Sequence, residues 1–380
     1  YEYGRYHENA LGEYNYNFMQ PENGENPVDT FFANFNWGKS EGDYSISPAK
    51  WIQRNPYDVL AGLELQKGGS YKTNVDWNAI LDEHGKLRLS LGLYAPDTIT
   101  GLGKTGEGYH THEDLFWTGF QGDPTKGKPA DQSWYGMSNL VVDKTPITNA
   151  DFNTSFNTGH GKYWFVDGKI SKDGEWNYRS VSGYLPTWRW WVEHSEDSTP
   201  LKGRYDFDQA YNGGNSLTFE GDLKANSSQN VMLYSTKMTE TTKLSVSHKG
   251  GVGAAAWVAV ATKEDYSEYV WKELTPNADW STQTFDLGDL AGKTIYAVKM
   301  FFDHDADVKD YKFNLGQLSI TSNQEKPAAP SEVTVKGKRL QNAQEAEVVL
   351  NFKGVADADY YEVYEKDNLE KLIRFHIDLG

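Results

Sequence analysis

Continuously apolar runs alternate with helix-like segments along the first part of the chain. The strand-like runs are FFANFNW (31–37), VLAGLELQ (59–66) and LRLSLGLYAP (87–96). Their starts lie about 30 residues apart, which is the repeat of βαβ units in a parallel sheet. Runs that stay apolar instead of alternating are typical of strands covered on both faces. The pattern therefore predicts an α/β region over residues 1–151.

Only three strands are recognisable in this region, whereas a complete (β/α)8 barrel has eight strands in roughly 250 residues. We therefore expect the C-terminal part of such a barrel; a small open α/β sheet is the alternative. Helices are predicted over 8–19, 47–55 and 75–85. Ser47 is the expected N-cap of the second helix, with Pro48 in its first turn, and Gly85 is expected to end the third.

From residue 152 the pattern changes to short alternating runs separated by Gly, Asn and Asp turns. This indicates an all-β region over 152–322, a β-sandwich of the jelly-roll type. Residues 323–332 read as a polar, Pro-rich linker. Residues 333–380 read as the start of a second sandwich, of immunoglobulin or fibronectin type, and NLEKLIRFHIDLG (368–380) does not continue the strand rhythm.

Charge and composition exclude several classes of protein. The 37 basic and 54 acidic residues give a net charge of −17, which repels nucleic acid and anionic lipid. The mean hydropathy is −0.70 and no 18-residue apolar run exists, so a membrane-inserted protein is not expected. The chain has no cysteine, which removes disulfides, thiolate nucleophiles and cysteine-ligated metals.

Aromatic residues make up 14% of the chain, and they suit both sandwich cores and sugar-binding surfaces. In a barrel, ligands bind at the C-terminal ends of the strands. The polar and aromatic residues at those ends are Asn34, Asn36, Trp37, Glu64, Gln66, Tyr94 and Asp97. A sugar pocket needs such a set, because sugars offer hydroxyls to hydrogen-bond and C–H faces to stack.

Purely structural roles for these residues are the alternative. Trp37 could pack a helix beneath the next loop, and Glu64 could form a surface or structural ion pair. No second carboxylate at a fixed spacing marks a glycosidase pair. His110 and His112, in YHTHED, are interpreted as polar loop residues because no strand or helix pattern positions them.

The acidic run DHDAD (303–307) raises the question of a calcium site. Val308 stands where a calcium loop of the EF-hand type needs Gly, so such a loop is not expected, although a calcium site on the sandwich stays open. We expect no metal and no cofactor.

One ordered set of segments points to a family. The order RYHENALGEYN, FFANFNW, DVLAGLELQKGG, LSLGLYAPDT, SFNTGHG, WVEHSE and YNGGNSLTFEG resembles glycoside hydrolase family 85, the endo-β-N-acetylglucosaminidases. The resemblance covers nearly all of residues 1–365 and leaves NLEKLIRFHIDLG outside. It implies a barrel followed by sandwiches, with 31–37, 59–66 and 87–96 as the sixth, seventh and eighth barrel strands.

The resemblance also implies a substrate-assisted reaction, an exception to the two-carboxylate scheme. In that reaction an Asn orients the 2-acetamido group of the substrate, and a Glu two residues later protonates the leaving oxygen. This Asn-x-Glu belongs to the fourth barrel strand, upstream of Tyr1. Three matches start in the chain at Asn23, Asn323 and Asn368, but none closes an apolar strand. The chain is therefore expected to be a fragment without its acid catalyst.

What carries over is part of the substrate wall. By the resemblance, Trp37 matches a tryptophan that lines the sugar site, and Tyr94 matches an aromatic residue near the reducing-side subsite. Tyr6 falls where many members have Trp, so its role is less defined. Asn34, Asn36 and Glu64 are expected in or behind the pocket by position only.

The expected function is hydrolysis of the GlcNAc-β-1,4-GlcNAc bond of the N-glycan core by the parent enzyme. The expected partners are N-linked glycans and glycoproteins, with no nucleic acid and no membrane insertion, and the protein is expected to be a monomer. The expected location is extracellular or at the bacterial cell surface, with the cytoplasm as the alternative. The alternative function is a non-catalytic carbohydrate-binding or adhesion protein that uses residues 152–322.

Overall fold

The structure is a computed structural model of the 380-residue chain. It describes residues 10–103, 106–123, 132–142, 144–148, 151–186, 190–239, 241–322, 328–341, 346–356, 358, 361, 364–365 and 368–372. The described part mixes helices with many β-sheets.

A three-stranded parallel sheet forms the N-terminal part, with the order β1-β2-β3. Its strands are β1 (Phe31–Ala33), β2 (Val59–Glu64) and β3 (Ser90–Tyr94). The helices are α1 (Gly12–Asn15), α2 (Lys39–Trp51), α3 (Leu65–Gly68), α4 (Trp77–Ile80) and α5 (Gly106–Thr118). A strand lies within each of the three predicted runs, and one face of the sheet packs into a core of buried apolar residues.

The boundaries predicted for the second helix are wrong. Helix α2 begins eight residues earlier, where Gly38 donates its backbone N–H to the Glu41 carboxylate at 2.8 Å. Ser47 and Pro48 therefore lie inside the helix. Pro48 is tolerated because α2 ends at Trp51, so the missing N–H removes one bond near the end of a helix that is mostly complete.

The first and third predicted helices are much shorter than expected. Of the segment 8–19, the described part holds α1 and one 3₁₀ turn over Tyr16–Phe18. In the segment 75–85, α4 ends at Ile80 and Leu81 then pairs with Leu87. Asp82 accepts backbone N–H groups from His84 and Lys86, so its side chain stabilises a tight turn instead of another helical turn.

Two antiparallel sheets follow the parallel part. One has the order β13-β12-β15-β10-β7, and the other has the order β14-β11-β16-β9-β8 with β4 paired to β16. Their strands are β4 (Phe152–Thr154), β7 (Trp191–His194), β8 (Lys202–Asp206), β9 (Ser216–Leu223), β10 (Ser227–Met238), β11 (Lys243–Gly250), β12 (Ala255–Ala261), β13 (Tyr269–Leu274), β14 (Asn277–Asp286), β15 (Ile295–His304) and β16 (Val308–Thr321). Apolar side chains from both sheets form one buried core.

A separate hairpin, β5 (His160–Val166) with β6 (Lys169–Asn177), stands beside these sheets. It is tied to them by mutual backbone hydrogen bonds between Phe165 and Gly213. The sequence did not indicate β6, because its side chains are polar and exposed along nearly the whole strand.

The C-terminal part pairs β17 (Ser331–Leu340) with β18 (Ala346–Lys353), and β19 (Tyr364–Glu365) with β20 (Asn368–Leu372). The expectation of an irregular tail is therefore wrong for 368–372, which pair with β19. The charged sequence NLEKL hides this strand, since it lacks a clean apolar alternation. Among the helices of the described ranges, none is long and apolar enough to cross a bilayer.

Candidate active site

The C-terminal ends of the three parallel strands meet at one edge of the sheet. Glu64 and Tyr94 are register partners at the last positions of β2 and β3. Trp37 follows β1 and is half-buried, and its indole Nε1 donates to the carbonyl of Gly62 at 2.8 Å. The hydrogen bond fixes the indole over this end of β2. Trp37 also packs against the apolar core, and its place in a substrate wall stays a prediction.

A small aromatic cluster occupies the same edge. The ring centroids of Phe35 and Tyr94 are 5.1 Å apart, and those of Phe32 and Phe35 are 6.1 Å apart. Tyr94 is 48% exposed and Phe32 is 43% exposed. Sequence reasoning chose Tyr94 but missed both phenylalanines, although Phe35 lies between two selected asparagines.

Glycines on β2 and β3 make room for the Phe32 ring. A Cβ atom on Gly62 would lie 2.6 Å from the ring, and one on Gly92 would lie 2.3 Å from it. Real Cβ atoms do not approach this closely, so the sheet face is open to Phe32 only because both positions are glycine. Both glycines are visible in the sequence, at the same position of the strand segments LAGLE (60–64) and SLGLY (90–94).

The polar residues at this edge differ in how they are held. The Asn34 side-chain oxygen accepts the backbone N–H of Phe35 at 2.9 Å, which orients the amide. Asn36 is exposed. Glu64 Oε1 accepts the backbone N–H groups of Gln66 and Lys67 at 3.1 and 3.3 Å, so it caps α3. The ion pair considered for Glu64 is replaced by this capping role, which holds the carboxylate at the edge.

The backbone is strained directly after Tyr94. Ala95 has φ +52° and ψ +55°, a left-handed conformation that costs a residue with a Cβ atom about 1–2 kcal/mol. Pro96 then begins a 3₁₀ turn that runs to Gly101. The turn sets the direction in which the chain leaves β3, and with it the exposed placement of Tyr94.

Tyr6 lies outside the described residues, as do Asn323 and Glu325. Asn23 and Gly24 form a tight turn with positive φ, closed by hydrogen bonds between Glu22 and Glu25. Asn368 begins β20 in the C-terminal part. In the described part, no Asn-x-Glu therefore stands at the end of a parallel strand.

The loop interpretation of the two histidines is wrong, because both lie on α5. His110 Nδ1 is 3.0 Å from Glu113 Oε2, and its Nε2 is 3.2 Å from Nε2 of His160 on β5. His112 Nδ1 is 2.7 Å from the hydroxyl of Tyr71. These contacts place the histidines in helix packing. Sequence reasoning missed the helix because its first turn is rich in glycine.

The acidic run 303–307 is also used internally. Asp307 accepts the backbone N–H of Ala225 at 2.8 Å, and His304 Nε2 is 3.0 Å from the hydroxyl of Ser227. Over the described residues, no group of three or more His, Asp or Glu side chains is arranged to hold a metal ion.

Comparison with known families identifies the class of protein. Residues 1–164 match the sequence model of glycosyl hydrolase family 85, and residues 330–374 match that of the C-terminal domain of family 85 endohexosaminidases. The chain belongs to glycoside hydrolase family 85. The second match reaches past residue 367, so the expectation that the resemblance ends at 365 is wrong.

The individual relatives agree with this class. The glycoside hydrolase domain of Endo-D from Streptococcus pneumoniae R6 is 62% identical with a TM-score of 0.86, over 96% of this chain and 58% of that chain. The cytosolic endo-β-N-acetylglucosaminidase of Danio rerio is 27% identical over 200 residues. Cytosolic endo-β-N-acetylglucosaminidase 1 of Arabidopsis thaliana is 23% identical over 211 residues.

The extent of these matches matters for function. They cover 51% and 54% of this chain, but 24% of the Danio rerio protein and 27% of the Arabidopsis thaliana protein. The chain thus spans about a quarter of the curated relatives it matches and 58% of the Endo-D structure.

Proposed function

We propose that this chain forms part of the substrate wall of an endo-β-N-acetylglucosaminidase that cleaves the GlcNAc-β-1,4-GlcNAc bond of N-glycans. The observation that carries the proposal is the sheet edge, where Trp37 is fixed by Gly62 and Tyr94 lies exposed beside Phe35. Flat rings beside oriented amides suit a sugar with both C–H faces and hydroxyls. Membership of family 85 supports the reaction class.

In the proposed reaction, the oxygen of the substrate's 2-acetamido group attacks the anomeric carbon, and the bond to the leaving oxygen breaks. A Glu gives its proton to that oxygen, and an Asn two residues earlier orients the acetamide. Water then opens the cyclic intermediate and returns a proton to the Glu. Trp37 and Tyr94 would hold the sugar rings. Asn34, Asn36 and the free oxygen of Glu64 would bind hydroxyls or support the residues that do.

We further propose that these 380 residues alone do not release glycans. No Asn-x-Glu of the described part stands at the end of a parallel strand, which supports a catalytic pair supplied by sequence outside this chain. Together with such sequence, β1, β2 and β3 would complete a (β/α)8 barrel. The antiparallel part 152–322 would be a jelly roll, followed by a linker at 323–332 and an immunoglobulin-like or fibronectin-like domain from 333.

The proposed setting follows from the same relatives. The Endo-D neighbour is streptococcal and supports an extracellular or cell-surface location, whereas the curated relatives are named as cytosolic. The proposed partners are N-linked glycoproteins, with the protein acting as a monomer.

A chimera tests the proposal. The homologous region of the Endo-D glycoside hydrolase domain is replaced by this chain, and glycan release from an N-glycosylated protein is followed by mass spectrometry. The chimera should leave one GlcNAc on the protein, while the 380-residue chain alone should release nothing. In the chimera, Trp37→Ala should lower kcat/KM about tenfold or more, because an aromatic contact is lost.

Trp51→Ala is the matched control, since Trp51 is on α2, is 69% exposed and contacts Tyr16. It should leave kcat/KM unchanged, and thermal melting should show that both variants fold. Equal loss in both variants would reject the proposed role of this sheet edge, and release by the chain alone would reject the proposal that the chain is inactive by itself.

The alternative function, sugar binding without catalysis, is favoured by one observation on the antiparallel part. On β13 and β15, Lys299 Nζ lies 3.8 Å from the ring centroid of Tyr269 and 4.7 Å from that of Trp271. Trp271 is 40% exposed, so this layer could stack on a sugar. Glycan-array binding that Trp271→Ala abolishes, together with an inactive chimera, would favour this alternative.

A further inference from the structure

A cleft of about 560 Å³ lies where α5 approaches the β5–β6 hairpin. Glu107 and Tyr109 line it from α5, and Lys162, Glu175, Trp176 and Arg179 line it from the hairpin side. It is distinct from the sheet edge, and none of its residues has a role in the proposed reaction.

The charges that line this cleft balance each other. Glu107 and Glu175 face Lys162 and Arg179, and Lys162 Nζ bridges toward Glu107 at 4.0 Å and Asp208 at 3.0 Å. The surrounding chain carries a net charge of −17. A neutral but strongly polar cleft in an acidic protein suits an uncharged ligand with many hydroxyl groups.

Trp176 forms a rigid part of the wall of this cleft, with a relative exposure of 9%. Its Nε1 donates to the carbonyl of Tyr163 at 2.8 Å, and its ring lies 4.7 Å from that of Trp164, centroid to centroid. Since Trp176 is almost fully buried, only an edge of its ring reaches the cleft, and it serves as a fixed part of the wall. Arg179 is fixed in the same way, by a 2.8 Å bond from Nη1 to the carbonyl of Thr158. A ligand would therefore meet oriented groups and lose little binding energy in ordering them.

The cleft opens beside the strand ends of the parallel sheet. Thr100 at its rim belongs to the 3₁₀ turn that directly follows β3. Six residues separate Tyr94 from Thr100, so the chain spans at most about 21 Å between them. A branched oligosaccharide held at Tyr94 can extend over such a distance.

We propose that this cleft binds an uncharged sugar branch of the glycan, at a second subsite between α5 and the β5–β6 hairpin. The hydroxyls of the branch hydrogen-bond to Glu107, Glu175 and Arg179. The identity of the glycan rests on the proposed function, whereas binding in the cleft does not require hydrolysis.

Isothermal titration of the 380-residue chain with a neutral high-mannose oligosaccharide tests the subsite. Glu175→Ala should weaken binding about tenfold, as expected for the loss of a hydrogen bond to a charged group. Thr100→Trp, which places a large side chain at the exposed rim, should abolish binding without disturbing the buried core. Asp173→Ala is the matched control, because Asp173 is an exposed acid on the same strand outside the cleft, and its affinity should equal that of the wild type.

Several results would overturn the proposal. These are no heat of binding by the wild type at millimolar ligand, unchanged affinity in Thr100→Trp, or tighter binding of a sialylated oligosaccharide than of the neutral one. The test separates this proposal from the proposed function. An inactive chimera with intact cleft binding would reject the glycosidase proposal alone, and an active chimera without cleft binding would reject the subsite alone.

Discussion

The Nε2 atoms of His110 and His160 lie 3.2 Å apart, and their imidazole planes are 10° from parallel. His110 is on α5 and His160 begins β5, so the pair joins the parallel part to the antiparallel part. Phe207 stacks on both rings, and Glu113 contacts the other nitrogen of His110. One proton can lie between the two facing nitrogens, so one of them must accept.

This arrangement predicts loss of stability in mild acid. Desolvation by burial, then the charges of His110 and Arg179, lower the pKa of His160 from 6.5 to about 4. Between these pH values the unfolded chain binds a proton that the folded chain does not, so unfolding becomes easier as the pH falls. The contribution of His160 to the free energy of unfolding should be about 1–2 kcal/mol, because solvent screening reduces the effect at a partly exposed imidazole, and urea unfolding at a series of pH values measures it.

Two variants check the assignment. His160→Gln should flatten the change in unfolding free energy between pH 6.5 and pH 4, because glutamine does not titrate there. His84→Gln should leave it as in the wild type, since His84 is largely exposed. An equal pH dependence in the His160→Gln chain and the wild type would contradict the role given to the pair.

A second prediction concerns the glycines under Phe32. Gly92→Ala should lower the free energy of unfolding by about 1–3 kcal/mol, because the new methyl group overlaps the Phe32 ring. Chemical unfolding measures the difference. Gly101→Ala, where no atom lies within 4 Å of the new Cβ, should change it by less than about 0.5 kcal/mol.

Combining Gly92→Ala with Phe32→Ala tests whether Gly92→Ala destabilises the protein through overlap with the Phe32 ring or through an effect of alanine on the strand that does not involve the ring. The double variant should cost less than the sum of the two single variants, because removing the ring leaves space for the methyl group. Strictly additive costs would show that the ring does not require the glycine.

A third prediction follows from the strained residue after β3. Ala95→Gly should raise the free energy of unfolding by about 0.5–1 kcal/mol. Glycine has no Cβ atom and so avoids the penalty of the left-handed conformation, and this gain is larger than the cost of glycine's greater freedom in the unfolded chain. Thermal melting should show the gain. Ser47→Gly, at an exposed position inside α2, should instead lose about 0.5 kcal/mol. A loss in both variants would mean that Ala95 is not strained.

The sequence was informative where burial dominates. The runs over β2 and β3 are largely apolar, and their buried side chains belong to the core, so their positions could be predicted. Helix α2 was placed eight residues late, since its first turns are polar and its N-terminus is a glycine with a glutamate three residues on. Local competition by Asp82 likewise shortened the helix predicted over 75–85.

Some features of the candidate site could likewise be predicted from the sequence, and others could not. Trp37 and Tyr94 could be selected because strand ends are readable, but the bond from Trp37 to Gly62 depends on a contact between positions 25 residues apart. The pairing of His110 with His160 joins positions 50 residues apart in two different parts of the molecule. Neither a propensity nor a period encodes such contacts, so only the folded chain shows them.

The last prediction concerns a buried cation that fixes the approach to β1. The Arg54 guanidinium donates to the backbone carbonyls of Met19 and Val28, at 3.0 Å each, and to that of Asp29 at 2.6 Å. Its Nε contacts the carboxylate of Asp58 at 2.8 Å. Arg54→Ala should cost about 3–4 kcal/mol, because buried carbonyls and a carboxylate lose their donor together.

Because Arg54 holds the segment that leads into β1, its loss should expose that segment before the rest of the chain unfolds. Limited proteolysis should then cut Arg54→Ala between residues 19 and 29 faster than the wild type, alongside the lower unfolding free energy. Arg88→Ala is the matched control, since Arg88 pairs with Asp43 at the surface, where such pairs contribute less than about 1 kcal/mol. Equal costs for the two arginines would show that the carbonyl contacts of Arg54 do not stabilise the fold.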